Sequence, residues 1–193
     1  DPGSGGARGQ PPADLEEPLD VALDEVASGG TRVLTVQSPG TDGAVRTRRV
    51  EVSIPKGVPD GQRLRIAGEG GVRADGTRGD LFLRVRTAPD PHFERDGADL
   101  ITELEIGLTE ALLGVAVRVR GLSGRTLEMR VPPETRDGAV LRLRGQGLPV
   151  YRSSEHGDLR VRMRVRMPTH LTERERHLFS ELAALRGEHP LTA

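Results

Sequence analysis

The chain has 193 residues, of which 30% are charged, and its formal net charge is −1. It contains no cysteine, which excludes disulfides, cysteine-ligated zinc and thiol catalysis. With three Phe, one Tyr and no Trp, it lacks the aromatic platform on which single-stranded nucleic acids stack, and its balanced charge lacks the overall basic character of most nucleic-acid binders.

Metal and membrane signals are weak throughout the sequence. The five histidines lack the close pairing typical of a metal site, so we expect no metal and no other cofactor. No apolar run is long enough to span a bilayer, and no signal-peptide pattern opens the chain. We therefore expect a soluble, cytoplasmic protein with no membrane partner.

The first stretch of the chain is rich in glycine and proline. The segment Asp1–Pro12 has linker composition, and we assign residues 1–14 to a linker. Because the sequence starts at Asp1 without a methionine, we expect it to be a fragment whose upstream portion is missing.

The sequence contains a long internal repeat. The segment Glu51–Gly70 recurs as Glu128–Gly147, and Gly79–Arg84 recurs as Gly157–Arg162. The period of about 75–80 residues is the size of a small domain and too long for a solenoid unit. The repeat predicts two similar modules, the first over residues 15–97 and the second over residues 98–170.

Each module is predicted to open with a strand and a very short helix. Apolar residues alternate in Leu19–Leu23 and Leu104–Leu108, which is typical of a strand with one buried face. Residues 24–29 and 109–114 follow, each with a capping residue at the start and a glycine at the end. The duplicated plan therefore reaches the start of each module.

The rest of each module is predicted to be strands joined by turns. Asp-Gly pairs mark turns at the same place in both repeats. Segments rich in β-branched residues precede these turns, Thr31–Gln37 and Val115–Arg120, and two further strands close the modules, Leu81–Arg86 and Leu159–Val165. The last of them alternates apolar residues with arginine, as a half-exposed antiparallel strand does. The fold class we predict is mainly β, with two tandem, similar, small β-sandwich domains, each with one short helix.

A helical period appears only after the second module. Thr172 and Glu175 form a capping box, and residues 171–187 are predicted to be an amphipathic helix followed by a tail over residues 188–193. Its apolar stripe consists of Leu178, Phe179, Leu182 and Leu185. This stripe packs either on the second module or on another chain, and the sequence leaves both open.

Several segments together resemble a known family. They are Leu23–Thr31, Pro91–Leu100, Leu108–Gly114 and Gly145–Pro149, and they follow one another along the chain in the same order as in that family. These segments are similar to the substrate-binding C-terminal region of DnaJ-type J-domain co-chaperones. The cysteine-rich, zinc-binding insertion of that family is absent, so the chain resembles the zinc-free class, which includes the curved-DNA-binding protein. The J-domain is also absent from this sequence.

The resemblance implies a co-chaperone that holds unfolded client proteins and delivers them to the seventy-kilodalton heat-shock chaperone. In relatives the first module binds an extended peptide in a shallow apolar groove by β-strand addition. The positions that match the groove are Leu19, Val21, Leu34, Val36 and Phe93. Glu17 stands where some relatives have an apolar side chain. The alternative is that the apolar residues of these strands are ordinary core residues.

The resemblance also implies a homodimer formed through the C-terminal stripe, whose two grooves would bind a long client with avidity. Whether the acidic C-terminal tail of the partner chaperone binds the same groove is left open by the sequence.

Two other functions remain as alternatives. DNA binding is suggested by the curved-DNA binder in the family and by local basic segments that contain Arg46, Arg48, Arg49, Arg118, Arg120 and residues 160–166. The second alternative is a purely structural dimerisation module that binds no client. No nucleophile, acid–base or phosphate-loop motif is recognisable, and we expect no enzyme.

Overall fold

The computed structural model of the chain describes residues 14–39, 45–72 and 76–188. The predicted linker and tail lie almost entirely outside the described residues. The elements of the first repeat are β1 (Leu15–Val21), α1 (Leu23–Ser28), β2 (Gly30–Pro39), β3 (Val45–Ile54), β4 (Arg63–Ile66) and β5 (Leu81–Thr87). After β6 (Glu94–Asp96), the second repeat contains β7 (Asp99–Gly107), α2 (Leu108–Leu113), β8 (Val115–Arg120), β9 (Thr126–Val131), β10 (Val140–Leu143) and β11 (Leu159–Arg166). The helix α3 (Glu173–Leu185) follows. We call β1 to β5 with α1 the first module, and β7 to β11 with α2 the second.

Each module consists of two small sheets. In the first, β5 lies between β1 and β4, and β2 pairs with β3 in a separate two-stranded sheet. In the second, the order is β10-β11-β7-β6, and β8 pairs with β9. The predicted fold class is confirmed: the chain is mainly β, with two similar β-rich units, one short helix in each and a C-terminal helix.

The strand that closes each module pairs parallel with the strand that opens it. Leu15 lies opposite Leu81 in the β1–β5 pair, and Leu100 lies opposite Leu159 in the β7–β11 pair. The predicted antiparallel pairing of β11 is correct for its neighbour β10 and wrong for its neighbour β7. Alternation of side chains is the same in both kinds of ladder, so the letters alone do not distinguish them.

The core lies between the inward faces of the sheets. On the closing strands, Leu81 and Leu83 of β5 and Leu159 and Val161 of β11 are at most 1% exposed. Their outward neighbours are arginines, some exposed and some partly buried, apart from the partly buried Phe82 between the two leucines of β5. Aliphatic side chains dominate the core, as the composition requires.

Two details of the predicted strands and helices are wrong by one or two residues. Leu23 and Leu108 begin the helices and do not end the preceding strands. The side chains of Asp24 and Thr109 are not the N-caps, because each helix begins one residue earlier than predicted. Glu25 and Glu110 instead accept from the N–H groups of Ala22 and Gly107, so a carboxylate satisfies the first free amide of each helix.

The repeated letters correspond to repeated hydrogen bonds. Asp60 accepts from the N–H of Thr87 at 2.6 Å, and Asp137 accepts from the N–H of Val165 at 2.8 Å. The N–H groups of Gly61 and Gly138, which follow these aspartates, donate to the closing strands β5 and β11. The Asp-Gly turns are therefore tied to the closing strand in the same way in both modules.

Two further aspartates lie at the starts of the parallel strand pairs, although the repeat aligns Asp80 with Asp158 and not with Asp99. Asp80 accepts from the N–H of Gly68 at 2.9 Å and pairs with Arg65 at 2.6 Å. Asp99 accepts from the N–H of Asp158 at 2.7 Å and pairs with Arg160. In both cases the backbone N–H and then the arginine hold the pKa of the carboxyl below its usual value.

These lowered pKa values predict a loss of stability in acid. A carboxyl whose pKa is depressed by folding stabilises the native state above its unfolded pKa, near 4, and this contribution is lost as the pH falls through the folded value. We expect the urea concentration at the unfolding midpoint of the wild-type chain to fall as the pH is lowered below about 4. We expect Asp99→Asn to lower this midpoint already at pH 7 and to make its further decrease in acid smaller. Urea titrations at pH 7 and pH 3 measure both effects. Glu155→Gln removes an exposed carboxylate and serves as the control; an equal response of the two variants would contradict the assignment.

The short strand β6 joins the two modules. It pairs with β7 in the sheet of the second module, with Arg95 opposite Leu100. The predicted division at residues 97 and 98 therefore falls inside the β6–β7 hairpin, and the domain boundaries stay a prediction.

Candidate functional site: a free strand edge and an apolar helix face

The strand β2 has one paired edge and one edge without a strand partner among the described residues. It pairs with β3 along its whole length, from Gly30 opposite Ile54 to Pro39 opposite Val45. Its sheet contains only these two strands. Alternate residues of β2 therefore direct their backbone N–H and C=O groups away from β3, where an added strand could bind them.

The start of β2 is held in place by Arg32. Its guanidinium donates to the Glu25 carboxylate of α1 at 3.0 Å and to the backbone carbonyl of Asp20 in β1 at 2.8 Å. The N–H of Ala22, and secondarily Arg32, holds the pKa of Glu25 below its usual value. These contacts hold β2 beside β1 and α1. They use the side chain of Arg32, so they leave the backbone groups on the outer edge of β2 free of these contacts.

Of the two apolar side chains on the inward face of β2, one is buried and the other is partly exposed to solvent. Val36 is 3% exposed and belongs to the core, whereas Leu34 is only partly buried and packs against the edge of that core. The outward face carries Thr31, Val33 and Thr35, all exposed. Leu34 is thus an apolar side chain next to a free edge and within reach of solvent.

The five predicted groove residues do not share one environment. Leu19 is 2% exposed and Val21 is 0% exposed, so together with Val36 they are covered by the chain itself. Phe93 is 8% exposed and lines a cleft between the two modules. Burial favours the core alternative for these side chains, and the peptide-binding role of all five stays a prediction.

One accessible apolar residue on the opening strand did not appear among the predicted residues. Leu15 is partly buried and points inward from β1, as does Glu17. The alternation Leu15, Glu17, Leu19 places all three on one face, but the carboxylate of Glu17 interrupts the apolar pattern, which hides Leu15 from a search for continuous alternation.

The second module differs at the corresponding edge. β8 has six residues where β2 has ten. In the aligned ladders, Val119 of β8 occupies the place of Leu34 and is 4% exposed. The second module therefore offers a shorter edge and no partly open leucine at this position.

The C-terminal helix α3 exposes its apolar face. The side chain of Thr172 accepts from the N–H of Glu175, so the predicted capping box is present. Within α3 no residue is buried; Leu178, Leu182 and Leu185 are 47%, 43% and 86% exposed, and Phe179 is partly buried. A cleft of about 630 Å³ separates this face from Leu108, Met167 and their neighbours.

Two further apolar residues are exposed, and one of them, Met167, lines the cleft beside this helix face. Met167 precedes α3 and is 64% exposed, and Leu113 at the end of α2 is 79% exposed. Sequence reasoning did not select them, because an isolated apolar residue at the end of a helix or strand gives no periodic signal.

The arginine stripe of β11 is matched by acidic residues on the same sheet face. Arg160 pairs with Asp96 and Asp99, Arg162 and Arg164 approach Glu103, and Arg166 pairs with Glu105. Arg48 pairs with Glu69 at 3.1 Å. The exposed Arg49, Arg118 and Arg120 are scattered over β3 and β8, and the side chain of Arg46 lies outside what the structure describes. Paired arginines attract phosphate weakly, because acidic neighbours cancel their field.

In the described ranges no group of three or more His, Asp and Glu side chains is arranged to hold a metal ion. Among the helices that the structure describes, none combines the length and the apolar character needed to cross a bilayer.

The known proteins that are similar to this chain share one name. The chain is 42% identical over 147 residues to the chaperone protein DnaJ of Beijerinckia indica, which covers 75% of this chain and 39% of the relative. It is 43% identical over 148 residues to the chaperone protein DnaJ of a Roseiflexus species, covering 76% and 40%. For the protein of the same name in Gluconacetobacter diazotrophicus, identity is 41% over 145 residues, covering 75% and 39%. The matched region thus spans about 40% of the length of these curated relatives.

The model of the DnaJ C terminal domain family matches residues 15–168, which include every strand of both modules. The chain therefore belongs to the DnaJ C-terminal domain family.

Proposed function

We propose that this chain is the client-binding part of a co-chaperone. The observation that carries the proposal is the ten-residue free edge of β2, beside the partly open Leu34. An unfolded segment adds there as an extra strand, so that its backbone makes hydrogen bonds that do not depend on its sequence. Relatives that are named chaperone protein DnaJ support the assignment.

Specificity for unfolded proteins follows from this geometry. Only an extended, unpaired segment can offer a full row of backbone donors and acceptors to an edge strand, and folded clients have few such segments. One leucine or phenylalanine of the client would bury its side chain against Leu34, which stabilises the complex by about 1.5–3 kcal/mol. With the cost of association, affinity near the micromolar range is expected, so a client can be released onward.

Delivery of the client to a seventy-kilodalton heat-shock chaperone is part of the same proposal. It rests on family membership, since no residue of the described chain is assigned to that contact. The predicted cytoplasmic location is consistent with such a partner.

We further propose that α3 joins two copies of the chain through Leu178, Phe179, Leu182 and Leu185. These side chains lie on one face of the helix and the second module covers them only in part, which supports the intermolecular alternative. Covering their exposed parts contributes about 3–6 kcal/mol per helix, or about 6–12 kcal/mol for the two helices of a dimer, which is of the same order as the cost of association. Met167, across the cleft from this face, adds exposed apolar area.

Amide hydrogen exchange tests where a client binds. The peptide is an unfolded, leucine- and phenylalanine-rich segment, added at about 100 times its dissociation constant, where up to about 100-fold slowing of exchange is possible. We expect slowing at alternate amides of β2, those that face away from β3, and little change in β8. Protection confined to β8, β11 or α3 would place the site elsewhere.

The alternatives predict other outcomes in the same experiment. DNA binding predicts protection around the arginine stripe of β11 when a short duplex is added, with a steep loss of binding as salt is raised. A purely structural dimerisation module predicts no protection by either ligand.

A further inference from the structure

In the described part of the chain, the backbones of the two modules approach each other closely at Gly57. Gly57, in the turn after β3, has φ of 68° and is buried. A Cβ atom built on Gly57 would lie 2.2 Å from the carbonyl oxygen of Pro149 and 2.9 Å from the nitrogen of Tyr151, both in the second module. Real Cβ atoms do not come that close to backbone atoms, so the contact requires glycine.

The repeat shows that the turn itself does not require glycine. The residue at the same place in the second module is Glu134, which has a similar φ of 59° and is exposed. Gly57 donates its N–H to Val26 in α1, and Glu134 donates its N–H to Leu112 in α2. The two turns share this φ and a hydrogen bond to their short helix, although the acceptor in α2 is one residue past Ala111, the counterpart of Val26. What distinguishes Gly57 is the segment of the second module that lies against it.

A single arginine connects the modules beside this contact. The backbone of Arg95 belongs to β6, in the sheet of the second module. Its guanidinium reaches the first module, where it donates to the carbonyl of Val58 and to the hydroxyl of Thr87, each at 2.8 Å, while Nε donates to the carbonyl of Gly97 at 2.9 Å. The side chain is only partly exposed, and the Val58 carbonyl is next in sequence to Gly57.

The surrounding boundary is open. A cleft of about 800 Å³ lies beside these contacts, lined by residues of both modules that include Leu23, Pro59, Phe93 and Tyr151. Domains joined by a small interface normally move relative to each other. Most of this boundary is an open cleft, so its few close contacts are the part that can restrict relative motion of the two modules.

We propose that Gly57 and Arg95 form an inter-module lock that holds the two modules in one relative orientation. Glycine permits the backbone contact with Pro149 and Tyr151, and the arginine ties β6 to the turn that carries Gly57. The lock fixes the position of the β2 edge relative to the second module, and it exists whether or not that edge binds clients.

Distances between two spin labels test the lock. Because the chain has no cysteine, labels attach only to introduced ones, Thr47→Cys on β3 and Arg130→Cys on β9, both at exposed positions. The matched variants are Gly57→Ala and Gly61→Ala. Both place alanine at positive φ, but the Cβ at Gly61 has no heavy atom within 4 Å.

We expect a narrow distance distribution in the otherwise wild-type chain and in Gly61→Ala, and one at least about twofold broader, or shifted, in Gly57→Ala. An unchanged distribution in Gly57→Ala, or equal broadening in both variants, overturns the proposal. If Gly57→Ala does not fold, Arg95→Ala and the exposed control Arg86→Ala decide it in the same way: broadening must follow the loss of Arg95 and not of Arg86.

Discussion

A variant with aspartate at both Leu178 and Leu182 is expected to sediment as a monomer at concentrations where the wild-type chain sediments as a dimer. These two leucines are 47% and 43% exposed in the single chain, although they belong to the apolar face of α3. In a two-fold dimer the double substitution removes four leucines from the interface and adds four charges.

The expected effect is large. Each leucine is about half exposed in the single chain, so covering it contributes about 0.7–1.5 kcal/mol, and losing four costs about 3–6 kcal/mol and weakens the dimer about 10²- to 10⁴-fold. Analytical ultracentrifugation over a range of concentrations measures this directly.

The matched control places two aspartates on the opposite face of the same helix, as Arg176→Asp with Ser180→Asp. Both positions are exposed and lie off the apolar stripe. A dimer that persists in the leucine variant, or that is lost equally in the control, would contradict dimerisation through the stripe. Circular dichroism of both variants checks that α3 is retained.

The fold was largely predictable because the sequence states its plan twice. The Asp-Gly turns at residues 60–61 and 137–138 recur with the same hydrogen bonds to β5 and β11. The helix α3 was predictable from its capping box and apolar period, since both are local signals. Local chemistry therefore accounts for the elements and for their duplication.

Long-range relations were beyond the sequence pattern. Alternation placed Leu19, Val21 and Val36 on one face of their strands, but it could not tell a covered face from an open one, and burial assigns all three to the core. The parallel pairing of β1 with β5 joins segments about 65 residues apart in the chain, which no local pattern encodes.

The contact at Gly57 gave a signal that was visible only as a difference between the repeats. Where the first repeat has glycine, the second has Glu134 at a similar φ. Because both residues adopt this φ, the glycine indicates that another segment lies against the first turn. The same kind of difference distinguishes Leu34 from Val119, and β2 from the shorter β8. Comparing the repeats position by position therefore locates the candidate site better than the apolar pattern of either repeat alone.

The central claim, that clients bind at the β2 edge, predicts a loss of affinity in Leu34→Ala. The leucine is partly open and lies next to the free edge, so truncating it removes apolar contact with the client and leaves the backbone ladder intact. A loss of about 1.4–2.3 kcal/mol corresponds to a dissociation constant about 10- to 50-fold higher.

The most direct measurement is the fluorescence anisotropy of a labelled, unfolded leucine- and phenylalanine-rich peptide titrated with wild type, Leu34→Ala and Val119→Ala. Val119→Ala truncates the equivalent position of the second module, and circular dichroism confirms that all three are folded. We predict saturable binding near the micromolar range by wild type and Val119→Ala, with the 10- to 50-fold loss confined to Leu34→Ala. No binding by wild type, or equal affinity in all three, would contradict a client site at the edge of β2.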